Sequence, residues 1–275
     1  MALSESRSDL HSAIPAAARN RLRRPAAAAV GVAAMALWLG ACDVSGTGVG
    51  LNLVPEQQIE QAGQQAWTQI LADNATTTNA AYRQRTSEVA QRILKAAGHD
   101  PAEWDVVVFR GDQINAFALP NKKIGVYEGM LRIADTPAKL AAVIGHEVAH
   151  VEEKHAAERM NTEVVTQLGV QAAATGAGLA GLGDPQLLAQ VLGVGAQYGV
   201  ALPYSRNQEL EADRLGLQVM AEAGYNSQAA VELWQSLSSG PRQPAFLATH
   251  PNPERRIEQL QANMDAAMKT YRAAR

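Results

Sequence analysis

The sequence predicts an α+β fold, mostly helical, with a small sheet beside one chemically distinctive helix. Two patterns point to it. Apolar residues recur at helical spacing in several separate stretches, and three short apolar runs cluster between residues 105 and 127. The composition agrees: 47% of the 275 residues are apolar but only 5% aromatic, so the core should be built from small side chains. With 24 basic against 27 acidic residues, the net charge of -3 excludes a polyelectrolyte and argues against nucleic acid as partner.

The first element is a targeting segment, residues 1–41. Arg7, Arg19, Arg21, Arg23 and Arg24 precede an uncharged run from Ala26 to Leu39, too short to span a bilayer comfortably. It ends in Leu39-Gly40-Ala41-Cys42, which resembles a bacterial lipobox. Cys42 is the only cysteine, so no disulfide forms within the chain, and its expected role is lipidation. Acyl chains, at about 0.8 kcal/mol per buried methylene, would then tether the chain to a membrane. Processing there leaves 19 basic and 25 acidic residues, a net charge of -6.

Residues 42–54 read as the lipidated cysteine and a Gly-rich flexible tether, and 55–275 as the functional domain. The spacing predicts a helix from Pro55 to Leu71, with Ile59, Ala62, Ala66 and Ile70 on one face. A second runs from Ala80 to Ala97, stopped by Gly98. Three strands follow at Asp105–Arg110, Ile114–Leu119 and Lys122–Tyr127, with a turn at Pro120-Asn121. Thr136 is the expected N-cap and Pro137 the first residue of a helix reaching Met160. Val164–Leu182 is apolar and Gly-rich, and its Gln167 and Gln171 favour a packed or surface-resting hairpin over a membrane span. A helical run to Val200, a helix from about Ser205, and two more at 226–239 and 253–272 complete the order.

Within the 137–160 helix, His146-Glu147-Val148-Ala149-His150 forms an HExxH pattern, for which about 0.008 chance matches are expected in such a composition. Two histidines four apart share a helical face and can reach one tetrahedral Zn2+, while Glu147 can take a proton from its water. A third ligand is sought in Glu209-Leu210-Glu211-Ala212-Asp213. Residues two apart lie about 200° apart around a helix, so Glu209 and Glu211 cannot both face the ion, whereas Glu209 and Asp213 share a face. Glu209 is therefore the expected ligand, Asp213 the carboxylate that orients a ligating histidine, and Glu211 a solvated or salt-bridged residue.

These elements resemble the gluzincin-clan metallopeptidases of the HtpX, Oma, LoiP and BepA type, relatives of the CAAX prenyl endoprotease. Four stretches carry the resemblance: Asn115-Ala116-Phe117-Ala118-Leu119-Pro120, the HExxH helix, Ser205-Arg206 through Asp213, and Thr249-His250-Pro251 through Arg256-Ile257. It implies a compact zincin, minigluzincin-like, with one Zn2+ per chain on His146, His150 and Glu209 and with Glu147 as base. The lipobox is most similar to the LoiP-type lipoproteins. Further implications are a substrate-binding edge strand at Asn115 and Ala116, and a catalytic or regulatory His250 that either fills the fourth zinc position or bonds the oxyanion. Arg256 would anchor the loop of His250. His155 fits the pattern and reads as structural, and His99 and Arg206 receive no role.

The expected function is a membrane-tethered zinc endopeptidase that cleaves misfolded or misassembled envelope proteins, facing the periplasm of a bacterium. The alternative is a lipoprotein chaperone or assembly factor with a closed, non-proteolytic zinc site. The expected partners are protein or peptide substrates and the membrane.

Overall fold

A computed structural model describes residues 54–175, 203–239 and 244–275, with the backbone alone for 167–175. The targeting segment, Cys42, residues 43–53, residues 176–182 of the apolar stretch and the run to Val200 lie outside the described residues. Among those described, no helix is long and apolar enough to cross a membrane.

Helix α1 (Glu56–Asp73) buries Ile59, Gly63, Ala66 and Trp67, one stripe at the expected period. Helix α2 (Ala80–Ala96) is capped by Asn79, whose side chain accepts from the amides of Ala81 and Tyr82. It ends at Gly98, with φ of +80° and the amides of Gly98 and His99 bonded to the carbonyls of Lys95 and Leu94. That is a Schellman end, for which glycine has the lowest conformational cost.

Strands β1 (Asp105–Phe109), β2 (Ala116–Leu119) and β3 (Lys123–Tyr127) form one sheet in the order β1-β3-β2. β1 runs parallel to β3 and β2 antiparallel to it. The two-residue period sorts the side chains. Val108, Ala116, Ala118, Ile124 and Val126 face the main core, while Phe109, Phe117, Leu119 and Tyr127 meet Trp67 of α1 on the other side. The sheet is thus covered on both faces, by α1 and by the remaining helices.

A short helix, α3 (Glu128–Ile133), follows β3 directly. It has under two turns, too few for a periodic signal, and the sequence did not announce it. Helix α4 (Pro137–Glu152) begins as expected, with Thr136 Oγ1 accepting from the Lys139 amide at 3.2 Å. Its end differs from the sequence reading. The single helix expected to Met160 is two, because Lys154 adopts φ of +55° and a second helix, α5 (His155–Thr175), starts immediately after it. Lysine is a poor marker for left-handed backbone, so no residue type flagged the break.

Helix α6 (Arg206–Glu222) opens with a capping box between Ser205 and Gln208. Then come α7 (Gln228–Ser238), the one-turn α8 (Ala245–Thr249) and α9 (Pro253–Ala273). Residues 140–150 of α4 are almost all buried, enclosed by α2, α6, α7 and β2. The closest approach is at paired glycines. A Cβ on Gly216 would stand 2.8 Å from the backbone nitrogen of His146, and one on Gly145 would stand 3.0 Å from the Gly216 carbonyl oxygen. Two helix backbones touch there, and only glycine on both leaves room.

Gly216→Ala should therefore destabilise the fold by about 1–3 kcal/mol, because backbone cannot yield to the added methyl as a flexible side chain would. Urea denaturation reads this directly, and an unchanged midpoint would mean the two helices can part without cost.

Candidate metal centre

The α4–α6 contact sets the site. His146 and His150 project from one face of α4, and Glu209 and Asp213 from the facing side of α6, all at most 4% exposed. The 40° separation between residues four apart aims both carboxylates inward, while the Glu211 side chain keeps 45% of its exposure.

His250 arrives from the end of α8. Its ring stacks on Phe246 at 4.2 Å, and Pro251 and Pro253 bracket Asn252, which turns the chain at φ of +64°. Asparagine tolerates that region better than most residues. Together His146, His150, Glu209 and His250 each offer a ligand atom within 4.8 Å of the others.

The separations test whether an ion fits. Donors ~2.0–2.1 Å from one tetrahedral Zn2+ stand about 3.3 Å apart. Here His146 Nε2 lies 3.0 Å from His150 Nε2 and 3.2 Å from His250 Nδ1. Glu209 Oε1 lies 3.0 Å from His250 Nδ1 and 3.4 Å from His150 Nε2. Three imidazole nitrogens and a carboxylate oxygen at these distances fit a divalent metal ion.

Behind them lies a charge network. Asp213 Oδ1 is 3.2 Å from His146 Nδ1, and Arg256 Nε donates to Asp213 Oδ2 at 2.6 Å. Arg256 also pairs with Glu209 Oε2, leaving Oε1 turned toward the histidines, and its guanidinium lies 3.7 Å over the Trp234 ring. Arg256 is thus in the first turn of α9 and holds the two α6 carboxylates, where the sequence suggested an anchor for the loop of His250.

Burial and neighbouring charges act together on the buried groups. It would raise the Glu209 carboxyl, but Arg256 and His250 outweigh it and hold the group well below the usual carboxylate range. Asp213 is lowered likewise: burial opposes ionisation, and the adjacent Arg256 prevails. Burial, followed by the neighbouring His146, pushes His150 well below its ordinary value, so its ring is neutral and able to offer a lone pair.

Glu147 is 1% exposed, and its Oε1 makes no hydrogen bond among the described residues. It faces His250 Nε2 at 3.4 Å. A buried carboxylate oxygen without a donor costs stability, and it is the placement a proton acceptor needs.

Asn115 and Ala116 lie at the head of β2, an edge strand on which no further strand pairs among the described residues. The edge is present, yet the side chains of β2 are buried rather than displayed. Asn115 Oδ1 makes no hydrogen bond among the described residues, and the Ile114 carbonyl accepts from the Phe246 amide, which ties the segment leading into β2 to α8.

Sequence reasoning passed over Tyr204, whose ring stacks on His150 at 3.9 Å and 18°. Arg159 covers its other face at 4.3 Å, and burial pushes its hydroxyl up to about 12. Only its position just before the Ser205 cap could have pointed to it. His99, given no role, pairs with Glu152 at 3.1 Å on α4.

Comparison with known proteins agrees with this geometry. The family model described as Peptidase family M48 matches residues 79–264. The chain is 31% identical over 209 residues to the mitochondrial metalloendopeptidase OMA1 of Schizosaccharomyces pombe, covering 74% of this chain and 60% of that one. It is 30% identical over 217 residues to the Bos taurus metalloendopeptidase OMA1, covering 74% and 42%. The β-barrel assembly-enhancing protease of Escherichia coli K12 is 27% identical over 219 residues, covering 77% and 45%. The shared region is therefore about half the length of these relatives.

Removing the cation from the network tests its weight. Arg256→Met should cost about 3–5 kcal/mol in urea denaturation, since Glu209 and Asp213 would remain buried without their counter-charge. A cost below about 1 kcal/mol would show that water reaches these carboxylates.

Proposed function

The chain belongs to peptidase family M48, and from that premise we propose that it is a zinc-dependent endopeptidase of the bacterial cell envelope. Its substrates on this reading are misfolded or misassembled envelope proteins, and lipidated Cys42 tethers it to the membrane facing the periplasm. The reading rests on one observation: four buried donors within 4.8 Å of one another, with a buried carboxylate oxygen beside them that makes no hydrogen bond among the described residues. The names of the relatives, two metalloendopeptidases and a protease that enhances assembly, support it.

His146, His150 and Glu209 would hold the ion. When bound, zinc supplies a polarising charge for the scissile carbonyl and a water acidified to about pKa 7. Glu147 Oε1 would accept a proton from the attacking water and pass it to the leaving amine. Asp213 holds His146 through Nδ1, and Arg256 keeps Glu209 turned by one oxygen toward the histidines. The free edge of β2 at Asn115 and Ala116 receives the substrate as an added strand, with backbone amides and carbonyls as the common recognition element.

His250 gives this form its character. With Nδ1 among the donors and its ring stacked on Phe246, it occupies the place a fourth ligand takes and shuts the site. Hydrolysis then requires the α8–α9 corner to carry His250 aside. The same observation favours a second reading, an assembly factor whose closed zinc site never opens. The buried Glu147, whose Oε1 makes no hydrogen bond among the described residues, speaks for the enzyme, because a purely structural ion needs no base.

Glu147→Gln should keep one equivalent of metal and lose about 100- to 10,000-fold in casein cleavage. Metal analysis and cleavage run side by side decide this, and wild-type cleavage would remove Glu147 as the base. The variant should also fail to complement a null strain, whereas a chaperone would still rescue it. His250→Ala should raise cleavage if the ring is a lid and lower it if the ring serves the oxyanion.

A further inference from the structure

We propose that His155 is a positioning residue for the metal centre, selecting the one ring form of His150 that presents a lone pair to the ion. This rests on the reading of His150 as a metal ligand.

On an unbroken helix, residues 150 and 155 stand about 140° apart and cannot meet ring to ring. The left-handed turn at Lys154 ends α4 and starts α5 at His155, and the two rings come together. Their Nδ1 atoms are 2.9 Å apart, a distance that requires one of them to donate. His155 is 1% exposed, and its Nε2 faces the Glu211 carboxylate at 3.5 Å.

Counting protons assigns the donors. Ionised Glu211 only accepts, so the proton of His155 sits on Nε2, directed at it. His155 Nδ1 is then a lone pair, and the shared contact takes its proton from His150 Nδ1. That leaves His150 Nε2 bare beside His146 Nε2 at 3.0 Å and Glu209 Oε1 at 3.4 Å, the form an ion needs there; until an ion binds, the Glu209 carboxylate competes with His155 for this proton. The opposite tautomer would set two lone pairs against each other at 2.9 Å and put a hydrogen among the metal donors. Tyr204 stacks on the face of His150 and holds its plane, but stacking does not distinguish the two nitrogens.

Helix α6 thereby acts on the site twice. Glu209 enters the donor set, and Glu211, on the opposite face of the same helix, ends the chain that sets the tautomer of His150. Capping ties the two helix starts together, since Gln208 donates to Glu158 at 2.8 Å while closing the box with Ser205.

The test has two arms. In two-bond 1H–15N spectra of the zinc-loaded wild-type protein at neutral pH, His150 should carry its proton on Nδ1 and His155 its own on Nε2. A proton on His150 Nε2 or on His155 Nδ1 overturns the proposal and needs no variant. In chelator competition, His155→Phe, which keeps the ring but accepts nothing, should bind zinc about 10- to 100-fold more weakly. His155→Gln, whose amide oxygen can take the same proton, should bind close to wild type. Equal zinc affinity in wild type and His155→Phe also overturns it. Should His155→Phe fail to fold, the wild-type spectrum decides. Zinc binding with the expected tautomer but without any proteolysis would sink the peptidase reading and leave this one standing.

Discussion

The backbone contact between α4 and α6 at Gly145 and Gly216 governs everything around it. The distance between these helices decides whether a carboxylate from one can reach two imidazoles on the other, and two missing side chains set that distance. His146 follows Gly145 directly, and Asp213 and Glu209 lie one and two turns before Gly216. The close contact of these two helices and the chemical site are therefore one feature. A larger residue at either glycine would separate the donors as well as the helices.

Such closeness buries charge, and the fold has to balance it. Arg256 answers two carboxylates at once and lies flat on Trp234, so its apolar face is packed while its edges are paired. Glu209 and Asp213 stay ionised despite burial because this cation is beside them. Buried ion pairs seldom add much stability compared with apolar packing. Their use here is geometric: the inward-facing side chains have second partners that hold them, Asp213 against His146, Arg256 against Glu209, and Tyr204 and His155 against His150.

Glu147 lacks such a partner among the described residues: its Oε1 faces only the His250 ring, at 3.4 Å, where Glu209 and Asp213 have Arg256. His250 thus lies against both Glu147 and the donor set, and the short α8 with its Pro251-Asn252-Pro253 exit decides where that ring stands.

Local periodicity made much of this legible in the sequence. Residues four apart share a helical face, so the pairing of His146 with His150 and of Glu209 with Asp213, and the exclusion of Glu211, could be read without coordinates. Val-rich runs and the Pro120-Asn121 turn located the strands, and Thr136 and Gly98 marked two helix ends for the same local reason. Contacts between distant residues had no such signal. The hold of Arg256 on α6, the stack of Tyr204 on His150 and the hydrogen bond between His150 and His155 depend on chain paths that no repeat describes. The last depends on Lys154 taking a backbone conformation its side chain does not advertise. Helical spacing determined which side chains could act together on one element. The tertiary structure alone decided which elements meet, because that follows from packing two glycine-lined backbones together and neutralising the charge this buries.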